Sequence, residues 1–151
     1  MIIRRANENE YEEFLKLCKQ VHSQHVNYRG DIFKEVDVPI SKEDYVDLIE
    51  NNIFVQVVDR EIIGYVTLFI KETKNSILCN RRFLYLDTIV IKDMYQRKGY
   101  GELLFDFVKQ YAKENKCDSI ELQVSKENEG ALKFYKKNSC KIKEYKLEIK
   151  L

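Results

Sequence analysis

A chain of 151 residues has room for one hydrophobic core but not two, and 44% hydrophobic with 12% aromatic residues is the composition of a folded domain rather than a disordered tail. With 26 basic against 25 acidic side chains the net charge is +1, which excludes a global pull toward nucleic acid or an anionic membrane and makes any anion site a local one. No apolar run approaches the roughly 20 residues that span a bilayer, and the start MIIRRANENEYEEF lacks the basic-then-apolar order of a signal peptide. Cys18, Cys79, Cys117 and Cys140 stand at wide spacing with no C-x-x-C pair. They read as free thiols, and a cytoplasmic location is expected.

In chain order, residues 2–5 read as a short strand. Tyr11, Phe14, Leu15, Cys18 and Val21 then recur at helical spacing behind an Asn-rich start. After an irregular stretch with Gly30 and Pro39, SKEDYVDLIENN opens a second helix with Ser41 as N-cap and Tyr45, Leu48 and Ile49 on one face. IFVQVVD and EIIGYVTLFIKE, split by a short turn, predict an antiparallel hairpin. RFLYLDTIVI at 82–91 follows as a central strand. Strict alternation puts Phe83, Tyr85, Asp87, Ile89 and Ile91 on one face and Leu84, Leu86, Thr88 and Val90 on the other.

YQRKGYGELLF, from Tyr95 to Phe105, leads into a helix with a broad stripe from Leu103 to Ala112, and SIELQV at 119–124 alternates as the next strand. Strand, glycine loop, helix, strand is a βαβ unit with parallel strands. NEGALKFYKKN predicts a last helix capped by Asn128, with Lys136 and Lys137 favourable to its dipole. KIKEYKLEIKL, 141–151, alternates as a closing strand. The fold class expected is α/β in a single domain over residues 1–151, with a mixed sheet flanked by helices.

The loop Gln96-Arg97-Lys98-Gly99-Tyr100-Gly101 is the candidate anion site. It matches neither a Walker loop, which needs G-x-x-x-x-G-K-[ST], nor a dinucleotide fingerprint, which needs a third glycine where Leu104 stands. What remains is a strand end, two glycines and a helix N-terminus, whose unpaired N–H groups and dipole suit a pyrophosphate. A plain strand-to-helix turn would also use Gly99 and Gly101. Arg97 and Lys98 add charge there or are simply solvated.

At this junction the chain resembles the GCN5-related N-acetyltransferases, whose [QR]-x-x-G-x-[GA] motif is met by Gln96, Gly99 and Gly101. The second signature of that family, an Asn, then an Ala, then an aromatic-Tyr pair, is met by Asn128, Ala131, Phe134 and Tyr135. Ser139 stands where the family usually has Gly. The resemblance implies the family's mixed sheet, with antiparallel N-terminal strands and a parallel pair at the cofactor site. It implies acetyl-CoA as co-substrate, a primary amine of a small molecule or peptide as acceptor, no nucleic-acid or membrane partner, and no metal. It places the pyrophosphate on the N–H groups of Gln96, Arg97, Lys98, Gly99, Tyr100 and Gly101, with Asn128 nearby, and the pantetheine along the main chain of Ile89, Val90 and Ile91. Tyr135 becomes the acid for the departing thiolate, with a core tyrosine as the other reading.

The attacking amine must lose a proton, because an alkylammonium has a pKa near 10. Asp87, which interrupts an otherwise apolar strand, is the candidate base, a buried carboxylate being easier to protonate; Glu121 is its rival. His22, His25 and Tyr28 fall in the family's acceptor region and are candidate substrate contacts. Cys18, His22 and His25 could line a helix face, but no fourth ligand accompanies them for a metal. The resemblance also allows a homodimer, with the alternating segment 141–151 as its edge. A non-catalytic acyl-CoA-binding module on the same fold is the alternative.

Overall fold

The computed structural model describes residues 1–151. Strand β1 (Ile2–Arg5) leads through a 3-10 turn at Glu8–Glu10 into helix α1 (Tyr11–Tyr28). The entry is closed by a capping box, in which Asn7 Oδ1 accepts from Asn9 N–H while Glu10 Oε2 accepts from Asn7 N–H. Helix α2 (Lys42–Ile49) begins where Ser41 Oγ accepts from Asp44 N–H at 3.1 Å, as its sequence predicts. Strands β2 (Ile53–Val58) and β3 (Glu61–Thr73) form the expected hairpin. Its two-residue turn holds Asp59 at φ 49° and Arg60 at φ 68°, both left-handed, which matches the twist of the flanking strands.

Strand β4 (Arg81–Ile91), helix α3 (Tyr100–Glu114), strand β5 (Ser119–Glu121) and helix α4 (Glu129–Lys137) complete the element order. The sheet runs β1-β2-β3-β4-β5, antiparallel except for the parallel β4–β5 pair at its edge. One face of the sheet packs Phe54, Val66, Leu68, Leu84 and Leu86 against Leu104, Phe105 and Val108 of α3 and Tyr135 of α4. The other packs Ile53, Val55, Tyr65 and Val90 against Phe14 and Leu17 of α1 and Tyr45 of α2. This is two layers of helix around one sheet.

Three expectations are corrected by the structure. The first concerns β4. Leu84, Leu86 and Ile91 all pack on the α3 side while Val90 packs on the α1 side, which strict alternation forbids. The register shifts between Thr67 and Leu68 of β3: Leu68 opposes Leu86 and Thr67 opposes Thr88, so Asp87 has no partner. This is a β-bulge, and it turns everything after Asp87 to the opposite face. Asp87 is consequently exposed, not buried.

The second concerns β5, which pairs with β4 only through Ser119, Ile120 and Glu121 rather than over 119–124. The third is the closing strand. Residues 141–151 belong to no strand and make no backbone hydrogen bond.

Helix α4 ends in a Schellman motif: Cys140 N–H donates to Tyr135 O at 2.9 Å and Ser139 N–H to Lys136 O at 3.1 Å. Ser139 adopts the left-handed conformation, φ 68°, that a glycine would take more readily. The exit from the helix is therefore kept without the glycine.

Candidate active site

The loop between β4 and α3 is built by ties to the sheet. The Glu61 carboxylate, beside the hairpin turn, accepts from the Tyr95 hydroxyl at 2.6 Å and forms an ion pair with Lys92. Gln20 of α1 donates to Ile91 O at 2.9 Å, and Gln96 donates to the same carbonyl at 2.9 Å and to Asp93 Oδ1 at 3.1 Å. The Gln96 amide thus turns inward and fixes the turn, and its main-chain N–H donates to Asp93 O at 3.2 Å, so the expected donor at Gln96 is taken by the chain itself. Gln20, Glu61 and the buried Gln56, whose amide donates to Tyr100 O at 3.3 Å, position the loop. Sequence reasoning missed all three, since a polar residue on a helix or at a turn carries no mark of its partner.

Beyond these ties the backbone opens. Arg97 and Gly99 are left-handed, at φ 61° and 86°, and the first helical bond of α3 runs from Leu103 N–H to Gly99 O at 3.2 Å. The N–H groups of Tyr100, Gly101 and Glu102 therefore find no acceptor in the chain. A Cβ at Gly99 would meet nothing within 4 Å, whereas one at Gly101 would lie 3.6 Å from the Phe134 ring of α4. Gly99 faces open space, and Gly101 lies beside α4 with room for ordinary contact. Arg97 and Lys98 are exposed and form no ion pair, with the Lys98 ammonium 5.7 Å from the centre of the Tyr95 ring. Unpaired donors, a helix dipole and two free cations fit a pyrophosphate.

Next to the loop the sheet splays. β4 and β5 pair at Phe83–Tyr85 and no further, so from Leu86 to Ile91 the β4 edge away from β3 has no strand beside it. Ile89, Val90 and Ile91 line that gap with main chain while their side chains join the two cores. The Ile91 carbonyl is already taken by Gln20 and Gln96.

Asn128 caps α4, with Oδ1 accepting from Ala131 N–H at 3.1 Å. Tyr135, two turns on, is buried and its ring lies 5.9 Å from Phe105 and 5.4 Å from Phe134. Burial, with a smaller contribution from Cys140, pushes the phenol well above its ordinary pKa and keeps it protonated. Its hydroxyl forms no hydrogen bond in the chain, yet Gln56 Oε1 is the sole buried side-chain polar atom left without a partner. The tip of Tyr135 therefore keeps contact with solvent.

The acceptor candidates divide. Asp87 accepts from Thr88 Oγ1 at 3.0 Å. Its charge is felt by Tyr65, Tyr85 and His25, so helix α1 and strands β3 and β4 meet around it. Burial lifts Tyr65 and Tyr85 above the usual phenol range, and Asp87 adds to that. Partial burial and the neighbouring His22 lower the His25 imidazole, against which Asp87 acts.

His25 stacks on Phe33 at 4.7 Å, while the Nε2 of His22 lies 2.7 Å from Lys34 O, which ties it to the loop after α1. Tyr28, the last residue of α1, is half-buried and makes no side-chain hydrogen bond. Glu121 is held elsewhere: burial would raise its carboxyl, but Lys143 and Arg81 pair with it and keep it below the ordinary range. That leaves Asp87 as the free carboxylate of the two. No three His, Cys, Asp or Glu side chains gather as a metal-binding group, and no helix is long and apolar enough to cross a membrane.

Residues 13–139 match the family model described as the acetyltransferase (GNAT) family. A probable N-acetyltransferase, san, of Drosophila melanogaster is 34% identical over 104 residues, covering 66% of this chain and 54% of that protein. The chain spans about half the length of the curated relatives it matches. Among solved structures, a tetramutant of BH1408 from Bacillus halodurans superposes with a TM-score of 0.95 at 29% identity, covering 100% of both chains. The aminoglycoside N-acetyltransferase AAC(6')-Iy in complex with CoA shares the fold, with a TM-score of 0.71 at 16% identity over 99% of this chain and 98% of that one.

Proposed function

Because the chain belongs to the acetyltransferase (GNAT) family, we propose that it transfers an acetyl group from acetyl-CoA to a primary amine by direct attack on the thioester. The observation that carries this is the run of unpaired N–H groups at Tyr100–Glu102 beside a β4 edge with no strand past Tyr85. A diphosphate needs the first and an extended amide chain needs the second. The relative named above as a probable N-acetyltransferase supports the same reading.

Each residue then has a task. The unpaired N–H groups from Arg97 to Glu102 hold the pyrophosphate, with the Arg97 and Lys98 side chains neutralising charge. The main chain of Ile89 and Val90 aligns the pantetheine arm, and a backbone N–H in that segment polarises the thioester carbonyl, where charge develops as the amine attacks. Acetyl-CoA supplies an activated acyl group on a good leaving thiol. Asp87 receives the proton of the incoming ammonium, directly or through water, and His25 and Tyr85 share its surroundings. Tyr135, kept protonated by burial, gives a proton to the departing sulfur. Asn128 sets the start of the helix that carries Tyr135.

Release of free thiol from acetyl-CoA across a panel of small amines, aminoglycosides and peptide N-termini, with mass spectrometry of the products, tests this reading. Acetylation of an amine is the expected result. Tight acetyl-CoA binding with no turnover on any amine would favour a module that senses acyl-CoA.

A further inference from the structure

Beside Asp87 a strip of the sheet carries aromatic rings that neither core uses. Leu84 and Leu86 pack toward α3, so Phe83, Tyr85 and Asp87 face the α1 side of β4. Phe69 of β3 stands opposite Tyr85, and Lys71 opposite Phe83, so these four side chains share that face. Phe69, Phe83 and Tyr85 are half-buried, yet the core on this face is built around Tyr65 and Val90 and includes none of the three. From Asp87 to Phe83 the strip runs about 13 Å at the usual rise of a strand.

The charges along it are few. Asp87 accepts only from its neighbour Thr88 and has no cation paired with it. The Lys71 ammonium lies 4.3 Å from the centre of the Tyr85 ring and pairs with no carboxylate. Arg81 lies 4.9 Å from the Phe83 ring, but its charge is already met by Glu121. On the α1 side, His25 is lowered by partial burial and stacks on Phe33, while Arg29 is neutralised by Asp31 and Glu148. Lys34, Glu35 and Asp37 on the loop beyond are exposed, where salt screens them. One uncompensated carboxylate therefore stands at the start of the rings, and one uncompensated ammonium stands on them.

We propose, resting on the acetyl-transfer reading above, that this strip selects the acceptor: an amine with one ammonium, for Asp87, and an apolar body, for Phe69 and Tyr85. Lys71 turns away acceptors that carry a second ammonium. A single carboxylate balances a single positive charge. The Lys71 head already occupies the ring face from which a second ammonium would gain a cation–π contact, and it repels that charge. Its methylene stem extends the apolar wall while the head stays in water. Polyamines and aminoglycosides, with several charges along one molecule, find no partner here for the second.

Steady-state kinetics on matched acceptors test the inference. Hexylamine against 1,6-diaminohexane, and a tripeptide amide opening with leucine against one opening with lysine, differ within each pair by one ammonium. The two pairs also separate a free amine from a peptide N-terminus as the source of the acceptor. In the wild type, kcat/KM should favour the singly charged member of at least one pair by about 10-fold or more. Lys71→Glu, at an exposed side chain with no ion pair, should close or reverse that gap. Phe69→Ser should lower hexylamine relative to ethylamine by about 10-fold, whereas damage to the fold would lower both alike.

Doubly charged acceptors used as fast as their partners in both pairs, or a ratio that Lys71→Glu leaves unchanged, would overturn the inference with acetyl transfer intact. So would an equal loss of hexylamine and ethylamine turnover in Phe69→Ser. Turnover of no amine at all would remove the acetyl-transfer reading itself, and this inference with it.

Discussion

Asp87 accepts a hydrogen bond from its neighbour Thr88 at 3.0 Å, at the residue of β4 that nothing on β3 opposes. The bulge gives that carboxylate its position. An unshifted strand would place it opposite a residue of β3; the extra residue leaves it outside the ladder, where its charge reaches His25 and Tyr85. Bulges near active sites commonly re-aim a side chain in this way.

Replacing Asp87 by Asn removes the negative charge that supports the His25 imidazolium. The His25 pKa, already lowered by partial burial and His22, should fall further, and an NMR titration of the imidazole reads that directly. If Asp87 takes the ammonium proton, kcat/KM for the amine should drop by about 100-fold or more near neutral pH. An unchanged pH–rate profile would remove Asp87 from the mechanism.

Tyr135→Phe deletes a hydroxyl that has no partner in the chain and keeps the ring packed on Phe105 and Phe134. Stability should change by less than about 1 kcal/mol, and acetyl-CoA affinity should hold. Turnover should fall by about 100-fold. Because burial raises the phenol pKa, the wild type should show no loss of activity from Tyr135 ionisation as pH rises through the ordinary tyrosine range. Equal turnover of the two proteins would return Tyr135 to a purely packing role.

Ser139→Gly should stabilise the protein. Ser139 sits at φ 68° in the Schellman turn, and the left-handed conformation costs a residue with a Cβ about 1 kcal/mol. Thermal unfolding should move up by about 2–4 °C. A decrease would mean that the Ser139 side chain contributes something the turn geometry does not reveal.

Gly64→Ala should do the reverse. A Cβ there would lie 2.6 Å from Val90 O and 2.7 Å from Ile91 Cδ1, and a strand carbonyl cannot swing aside. The overpacking cost is about 1–3 kcal/mol. Since Val90 belongs to the edge proposed for the pantetheine arm, acetyl-CoA affinity should weaken together with the melting temperature. A wild-type melting temperature would show that β3 and β4 can separate at Gly64 without loss.

Much of this was legible in the sequence, for local reasons. Ser41 and Asn128 cap their helices because capping is decided within one turn, and the β2–β3 hairpin follows from two β-rich runs with a short turn between them. The glycine loop was legible because Gly99 takes a left-handed φ that other residues resist.

What escaped depends on partners far along the chain. The bulge at Asp87 follows from pairing with β3, and both parities of RFLYLDTIVI are apolar enough to hide the switch. The inward turn of Gln96 depends on Ile91 and Asp93. Residues 141–151 have the pattern of a strand, but pattern fixes a face and cannot supply a neighbour.

The central claim is that the turn from β4 into α3 holds the diphosphate of acetyl-CoA, and calorimetric titration of the purified protein with acetyl-CoA, with ATP as control, tests it most directly. Saturable binding of acetyl-CoA that ATP does not reproduce is the predicted result. No heat of binding with acetyl-CoA, or equal affinity for ATP, would contradict it.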